Sequence, residues 1–164
     1  RNAGLNSAQF NAMKANLILN FRSSVRLMPS IMVIIAMMLS YITYTKSART
    51  IITNGRAVQF TPPFICFRMP WSYTQIMVVV ILILEYILKD MDTLNFNLKA
   101  ILIFSMFIQG ISVIKFYMNK IKMGGFIQGF VVLSMALFGW TQIIAVVIGF
   151  IDSLVNVRRL PNFK

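Results

Sequence analysis

Leu27–Thr45 reads LMPSIMVIIAMMLSYITYT and lies between Arg26 and Lys46. These 19 residues carry no charge. As a helix they extend about 28 Å, close to the roughly 30 Å hydrocarbon core of a bilayer. Pro29 falls in the first turn, where the missing N–H has no helical partner. Tyr41 and Tyr44 fall near the far end, where amphipathic rings suit the headgroup layer. This stretch therefore reads as a membrane span, and it sets the class of the whole chain.

The composition agrees. Of 164 residues, 58% are hydrophobic and 12% charged. Soluble domains have roughly 45–50% apolar and about 25% charged residues. A soluble domain of this size could not coat itself with so few polar groups. A soluble enzyme, a disordered tail and a disulfide scaffold are excluded, leaving an all-α, multi-pass transmembrane helix bundle.

Three more spans follow from the same criterion. One runs over 70–88 and opens on Pro70-Trp71. Another covers 97–118, with the uncharged centre Ala100–Ile114 and Lys99 and Lys115 snorkelling at its ends. The longest uncharged stretch is Met123–Ile151, with 29 residues. We expect one span over 126–151 there, with Gly124-Gly125 as a preceding turn. A broken, re-entrant pair is the alternative. With the first span placed at 29–45, the membrane domain extends over 29–164.

Before it, Phe10, Met13, Leu17 and Phe21 recur at helical spacing among Asn, Lys and Ser. Residues 1–28 therefore read as an amphipathic or linker helix on the membrane surface. Asn6 with Gln9 resembles a capping box. The loop 46–69 holds Asn54-Gly55, a turn signal, and the stiff Phe60-Thr61-Pro62-Pro63-Phe64. Its aromatic residues could dock on the bundle.

The net charge is +12, from 16 basic and 4 acidic residues. The basic residues flank the apolar runs and do not line one helix face, so lipid headgroups are their expected partners and nucleic acid is not. Four full crossings would put both termini on one side, and we expect that side to be the cytoplasm of a bacterial inner membrane. The basic residues divide almost evenly between the two sides, a weak asymmetry that a miscounted fourth span would explain. There is no histidine, and Cys66 is the one cysteine. We expect no catalytic residue, cofactor or metal site, since His-based catalysis and the usual zinc sites are unavailable. No phosphate-binding glycine loop is present.

The candidate contacts are polar or small residues within spans. Glu85 is the one acid inside a span, and Lys89 follows at i+4. Gln109, Gln128 and Gln142 carry amides that need partners in hydrocarbon. They could join helices or line a ligand pocket. Asp152 ends the last span six residues before Arg158-Arg159 and reads as part of an interfacial capping or ion-pair arrangement. Ala36 and Ser40, Gly125 and Gly129, and Ala145 and Gly149 are each four apart, the spacing of close helix contacts.

Several short motifs also resemble a known family. Pro62-Pro63-Phe64 followed by Phe67-Arg68-Met69-Pro70, then Gln109-Gly110, then Gly149-Phe150-Ile151-Asp152, then Val157-Arg158-Arg159 is similar to the YybS-like bacterial membrane proteins. Phe67 departs from the tryptophan often found at its position. The resemblance covers roughly residues 28–160. Members are about twice this length, so it implies that the chain is a C-terminal half whose missing N-terminal half is a partner. The family is more remotely similar to the substrate-binding membrane subunits of energy-coupling vitamin transporters. The resemblance thus implies a non-catalytic, transport-related component binding a small solute or another membrane subunit. It supplies no functional residues. The alternative is a structural or assembly partner for another membrane protein, with no small ligand.

Overall fold

A computed structural model describes residues 7–54, 63–87 and 91–159, the side chains of residues 7 and 8 excepted. The described residues form helices and no strand. They are α1 (Ser7–Thr53), a 3-10 turn (Phe64–Cys66), α2 (Trp71–Tyr86), α3 (Asp92–Lys120), α4 (Gly125–Leu137) and α5 (Gly139–Val155). The all-α bundle follows from the apolar runs. By length and composition α1 and α3 can cross a membrane, and α4 with α5 makes a third if taken as one bent span. α2 is apolar but has only 16 residues, about 24 Å of helix.

From Ser7 on, the segment before the first span is continuous with it. α1 runs through Pro29 without a break for 47 residues, about 70 Å. An interior proline removes one helical hydrogen bond and crowds the preceding turn. A neighbour braces this turn. Asn97 of α3 accepts from the Ser30 N–H at 2.9 Å and donates to the Arg26 carbonyl at 2.9 Å. Its side-chain amide thus bridges the turn that contains the proline. Residues 9–25 are exposed on every face. Asn6, the first half of the expected capping box, lies outside the described residues, as do Gly55 and Pro62.

α3 is the axis of the bundle and holds half of the buried residues among those described. α1 runs parallel to it, with Arg26 and Ser30 beside Asn97, and Tyr41 in a cavity shared with Phe104 and Ile108. α2 runs antiparallel. Tyr73 Oη lies 3.2 Å from Ser105 Oγ, and Lys99 Nζ lies 2.6 Å from Glu85 Oε2.

The stretch 126–151, expected as one span with a broken pair as the alternative, is not one continuous helix. α4 and α5 meet at a 104° bend. Phe138 is extended between them, with φ −100° and ψ 121°. There is no proline at the break, and polar side chains beside it bond carbonyls on both sides, those of Ser134 and Phe138 in addition to their backbone partners. Gln142 Nε2 donates to the Ala136 carbonyl at 2.7 Å. The Thr141 hydroxyl reaches the Ser134 carbonyl at 3.2 Å and the Phe138 carbonyl at 2.7 Å. A broken helix is tolerated at membrane depth when side chains satisfy its backbone in this way.

The bend decides the topology. Gln128, near the start of α4, donates to Asn119 Oδ1 at 2.7 Å. After α5, the Val157 carbonyl accepts from Tyr117 Oη at 3.4 Å. Asn119 and Tyr117 both lie in the last turn of α3. The pair therefore returns to the end of the bundle that it left. Ser7 and Arg159, the first and last described residues, belong to opposite ends of the bundle, whereas four full crossings would put both at one end.

Candidate functional site

The densest polar cluster in the described chain lies where the loop before α2 meets α3 and the end of α5. Its centre is Arg158, whose side chain has 0% exposure. Asn156 ends α5 in the left-handed region at φ 52°, and this reversal carries Arg158 back beneath the helix. A guanidinium has five N–H donors, and here each has an acceptor. Nε and Nη2 hold the two Asp152 carboxylate oxygens at 3.3 and 2.8 Å. Nη2 also reaches the Phe67 carbonyl at 2.7 Å. Nη1 donates to the Ile65 carbonyl at 2.6 Å and to Ser112 Oγ at 2.8 Å.

The network continues through α3. Gln109 Nε2 donates to Asp152 Oδ2 at 3.0 Å, and Gln109 Oε1 accepts from the Met69 N–H at 3.0 Å. The Ser112 hydroxyl faces the carbonyls of Phe64 at 2.7 Å and Phe67 at 3.2 Å. Thr74 Oγ1 and Ser153 Oγ are 2.6 Å apart, joining α2 to α5. Prolines at 63 and 70 bound the loop, and its inward carbonyls would be costly in a dry interior without these donors. Arg158 and Ser112 supply them. Asp152 neutralises the guanidinium, as a buried charge requires.

The network also needs α3 and α5 to approach closely. A side-chain carbon at Gly110 would overlap the Ala145 carbonyl, and one at Gly149 would overlap the Met106 carbonyl. Ala145 and Gly149 thus form the crossing with Gly110. Gly125 and Gly129 face open space, and Ala36 and Ser40 are exposed on α1. Among the polar candidates, Gln109 joins the network. Gln128 donates to Asn119 and to the Met123 carbonyl, and Gln142 braces the α4–α5 break. Glu85 pairs with Lys99 across helices, while Lys89 lies outside the described residues. These residues do not converge on one pocket.

Sequence reasoning left Ser112, Thr74 and Ser153 unremarked. Small hydroxyls in apolar runs give no periodic signal. Asp152 and Arg158 were legible as a pair from their spacing, but not the loop carbonyls that Arg158 also reaches.

Beside the clamped loop is a cavity of about 220 Å³. Met37, Met38 and Tyr41 of α1, Phe64 and Phe67 of the loop, and Phe104 of α3 form most of its wall. Ser105 is its one hydroxyl besides that of Tyr41. Methionine and aromatic walls adapt to apolar and aromatic guests. Among the described residues, no three His, Cys, Asp or Glu side chains group together as a metal site would need.

Fold and site together define a helical membrane protein whose loop is clamped to the bundle by a buried arginine. Residues 1–153 match the family model described as a predicted membrane protein (DUF2232), and the chain belongs to that family. No curated protein and no solved structure matches it.

Proposed function

We propose that the chain is a non-catalytic, transport-related component of a bacterial inner membrane that binds a small apolar or aromatic solute. The observation that carries this reading is the cavity between α1, the loop and α3. Its loop wall is held in place by Arg158, so it is formed before a guest arrives, as ligand pockets usually are. A guest that binds only the folded state raises stability by mass action. The test is a thermal-unfolding screen of the full chain in mild detergent against aromatic and apolar vitamins, beside polar ones. We expect members of the first group to raise the melting temperature, and Met38→Trp, which fills the cavity, to abolish the rise. A screen without any shift overturns the reading.

The fold also bears on orientation. Lys46, Arg49, Arg68, Lys115, Lys120, Lys122 and Arg159 belong to the end of the bundle where α3 finishes. Lys14, Arg22, Arg26 and Lys99 belong to the other. The positive-inside rule therefore favours the α3 C-terminal end in the cytoplasm. We propose this orientation in place of two cytoplasmic termini, because the folded-back α4–α5 pair brings Arg158-Arg159 to that end.

A second reading, an assembly partner without a small ligand, is favoured by α4. It has no buried residue, and Phe126, Phe130 and Leu133 are exposed along it. Co-purification with another membrane protein, lost in Gly125→Leu/Gly129→Leu, would support it.

A further inference from the structure

At the opposite end of the bundle from the arginine clamp is a second, polar cavity of about 460 Å³, lined by Arg26, Glu85, Asp92, Asn95, Phe96 and Lys99. We propose that it binds a zwitterionic phosphate–amine group, as carried by an aminophospholipid headgroup.

Two unpaired polar atoms motivate this. Asn95 is 8% exposed, and its Oδ1 is buried without a hydrogen-bond partner. Nε of Arg26 is likewise buried and unpartnered. Buried polar atoms of native proteins are almost always bonded, so two side chains of the cavity wall each carry one unused hydrogen-bonding atom, an acceptor on Asn95 and a donor on Arg26. A ligand that satisfies both carries an N–H donor and an anionic or carbonyl oxygen.

The charges narrow the choice. Arg26 and Lys99 face Glu85 and Asp92, so among the described residues the wall holds two charges of each sign. A simple anion or a simple cation would meet repulsion from half of it, whereas a zwitterion meets a complement at each end. Lys99 and Glu85 already form a close pair at 2.6 Å. Arg26 Nη2 and Asp92 Oδ2 are 4.0 Å apart, a loose pair that a phosphate and an ammonium could part. Arg26 is also fixed in direction, with its guanidinium carbon 5.2 Å from the Phe96 ring centroid.

The depth fits a headgroup. Arg26 immediately precedes the uncharged run that begins at Leu27, and Asp92 opens α3. Both belong at the boundary between hydrocarbon and water. In the bound state the phosphate lies against Arg26 and Lys99. The primary ammonium lies against Asp92, and a turn of the Asn95 side chain brings Oδ1 to accept from it.

A choline headgroup has the same charges but no N–H. This makes the proposal testable with the full chain in mild detergent. Phosphatidylethanolamine, phosphatidylcholine and phosphatidylglycerol with identical acyl chains are added in equal amounts, and retained lipid is read by native mass spectrometry. We expect ethanolamine lipid to be retained about tenfold over choline lipid, the size of one hydrogen bond to a buried group. Asn95→Leu should bring the two to parity. Arg26→Gln should lower retention of both, since both carry the phosphate. Equal retention of ethanolamine and choline lipids by the unaltered protein overturns the proposal, as does an undiminished preference in folded Asn95→Leu. Competition with free phosphoethanolamine separates the two sources and needs no variant. Displacement of the retained lipid assigns a soluble zwitterion, and lack of displacement assigns the headgroup. Neither result depends on the apolar cavity, so this proposal and the solute-binding reading fail separately.

Discussion

Arg158 and Asp152 form a doubly hydrogen-bonded ion pair at 3.3 and 2.8 Å, with both side chains at 0% exposure. Such a pair gains little over a well-packed apolar substitute, but losing one member leaves an uncompensated charge. Asp152→Ala should therefore destabilise the protein by about 3–5 kcal/mol, and Arg158→Met by a comparable amount, because the Ile65 carbonyl is also left without its donor. The double variant should cost much less than the two losses together, since neither charge remains. Thermal unfolding of the four proteins in one detergent checks this. Strict additivity would show that the pair is not coupled.

The α3–α5 crossing separates two kinds of glycine. Gly110→Ala and Gly149→Ala each push a methyl into backbone carbonyls of the facing helix. Backbone cannot step aside as a flexible side chain can, so each should cost about 1–3 kcal/mol or more. Gly125→Ala and Gly129→Ala meet open space and should leave the melting temperature of the isolated chain unchanged or raised, because alanine is the better helix former. A loss of stability at Gly129 equal to that at Gly149 would contradict the crossing described.

These two cases show what the sequence could tell. The apolar runs revealed the class because the criterion is local: about 20 uncharged residues make a span wherever they occur. The small pairs were visible by spacing, but spacing alone cannot say which pair meets a neighbour. Ala145 with Gly149 does, and Gly125 with Gly129 does not. The break at Phe138 was harder to foresee. Residues 126–151 are uncharged throughout, and their continuity suggested one helix. Thr141 and Gln142 were the available signal, yet an amide in a span also suits a bond between helices. Here it bonds Ala136, six residues back in the same chain. The motifs that resemble a known family were scattered in sequence, and folding brings Phe67, Met69, Gln109, Asp152 and Arg158 together. No local rule predicts that convergence.

Pro29 supplies a third test. Asn97 stands in for helical bonding around the proline turn, so Asn97→Leu strands the Ser30 N–H and the Arg26 carbonyl. The expected loss is about 1–3 kcal/mol for each buried group left unpaired. In a Pro29→Ala background the helix can close its own bonds through that turn, and the same substitution should cost clearly less. Melting temperatures of the single and double variants measure the difference. An equal cost in both backgrounds would mean that Asn97 acts through packing and not as a brace.

The re-entrant pair makes a topological prediction that four full crossings do not share. In a Cys66→Ser background, single cysteines are introduced as Lys14→Cys and Lys120→Cys and probed in intact cells with an impermeant maleimide. Lys14 lies on α1 before the span, and Lys120 ends α3. With the more basic end inside, the cysteine at 14 should be labelled from outside and that at 120 only after the cells are opened. Then Arg159→Cys, beside the folded-back end of α5, should behave like the cysteine at 120 and opposite to that at 14. Four crossings require the reverse relationship, with residues 14 and 159 on one side. The comparison of 159 with 14 and 120 therefore decides the topology whichever end proves cytoplasmic.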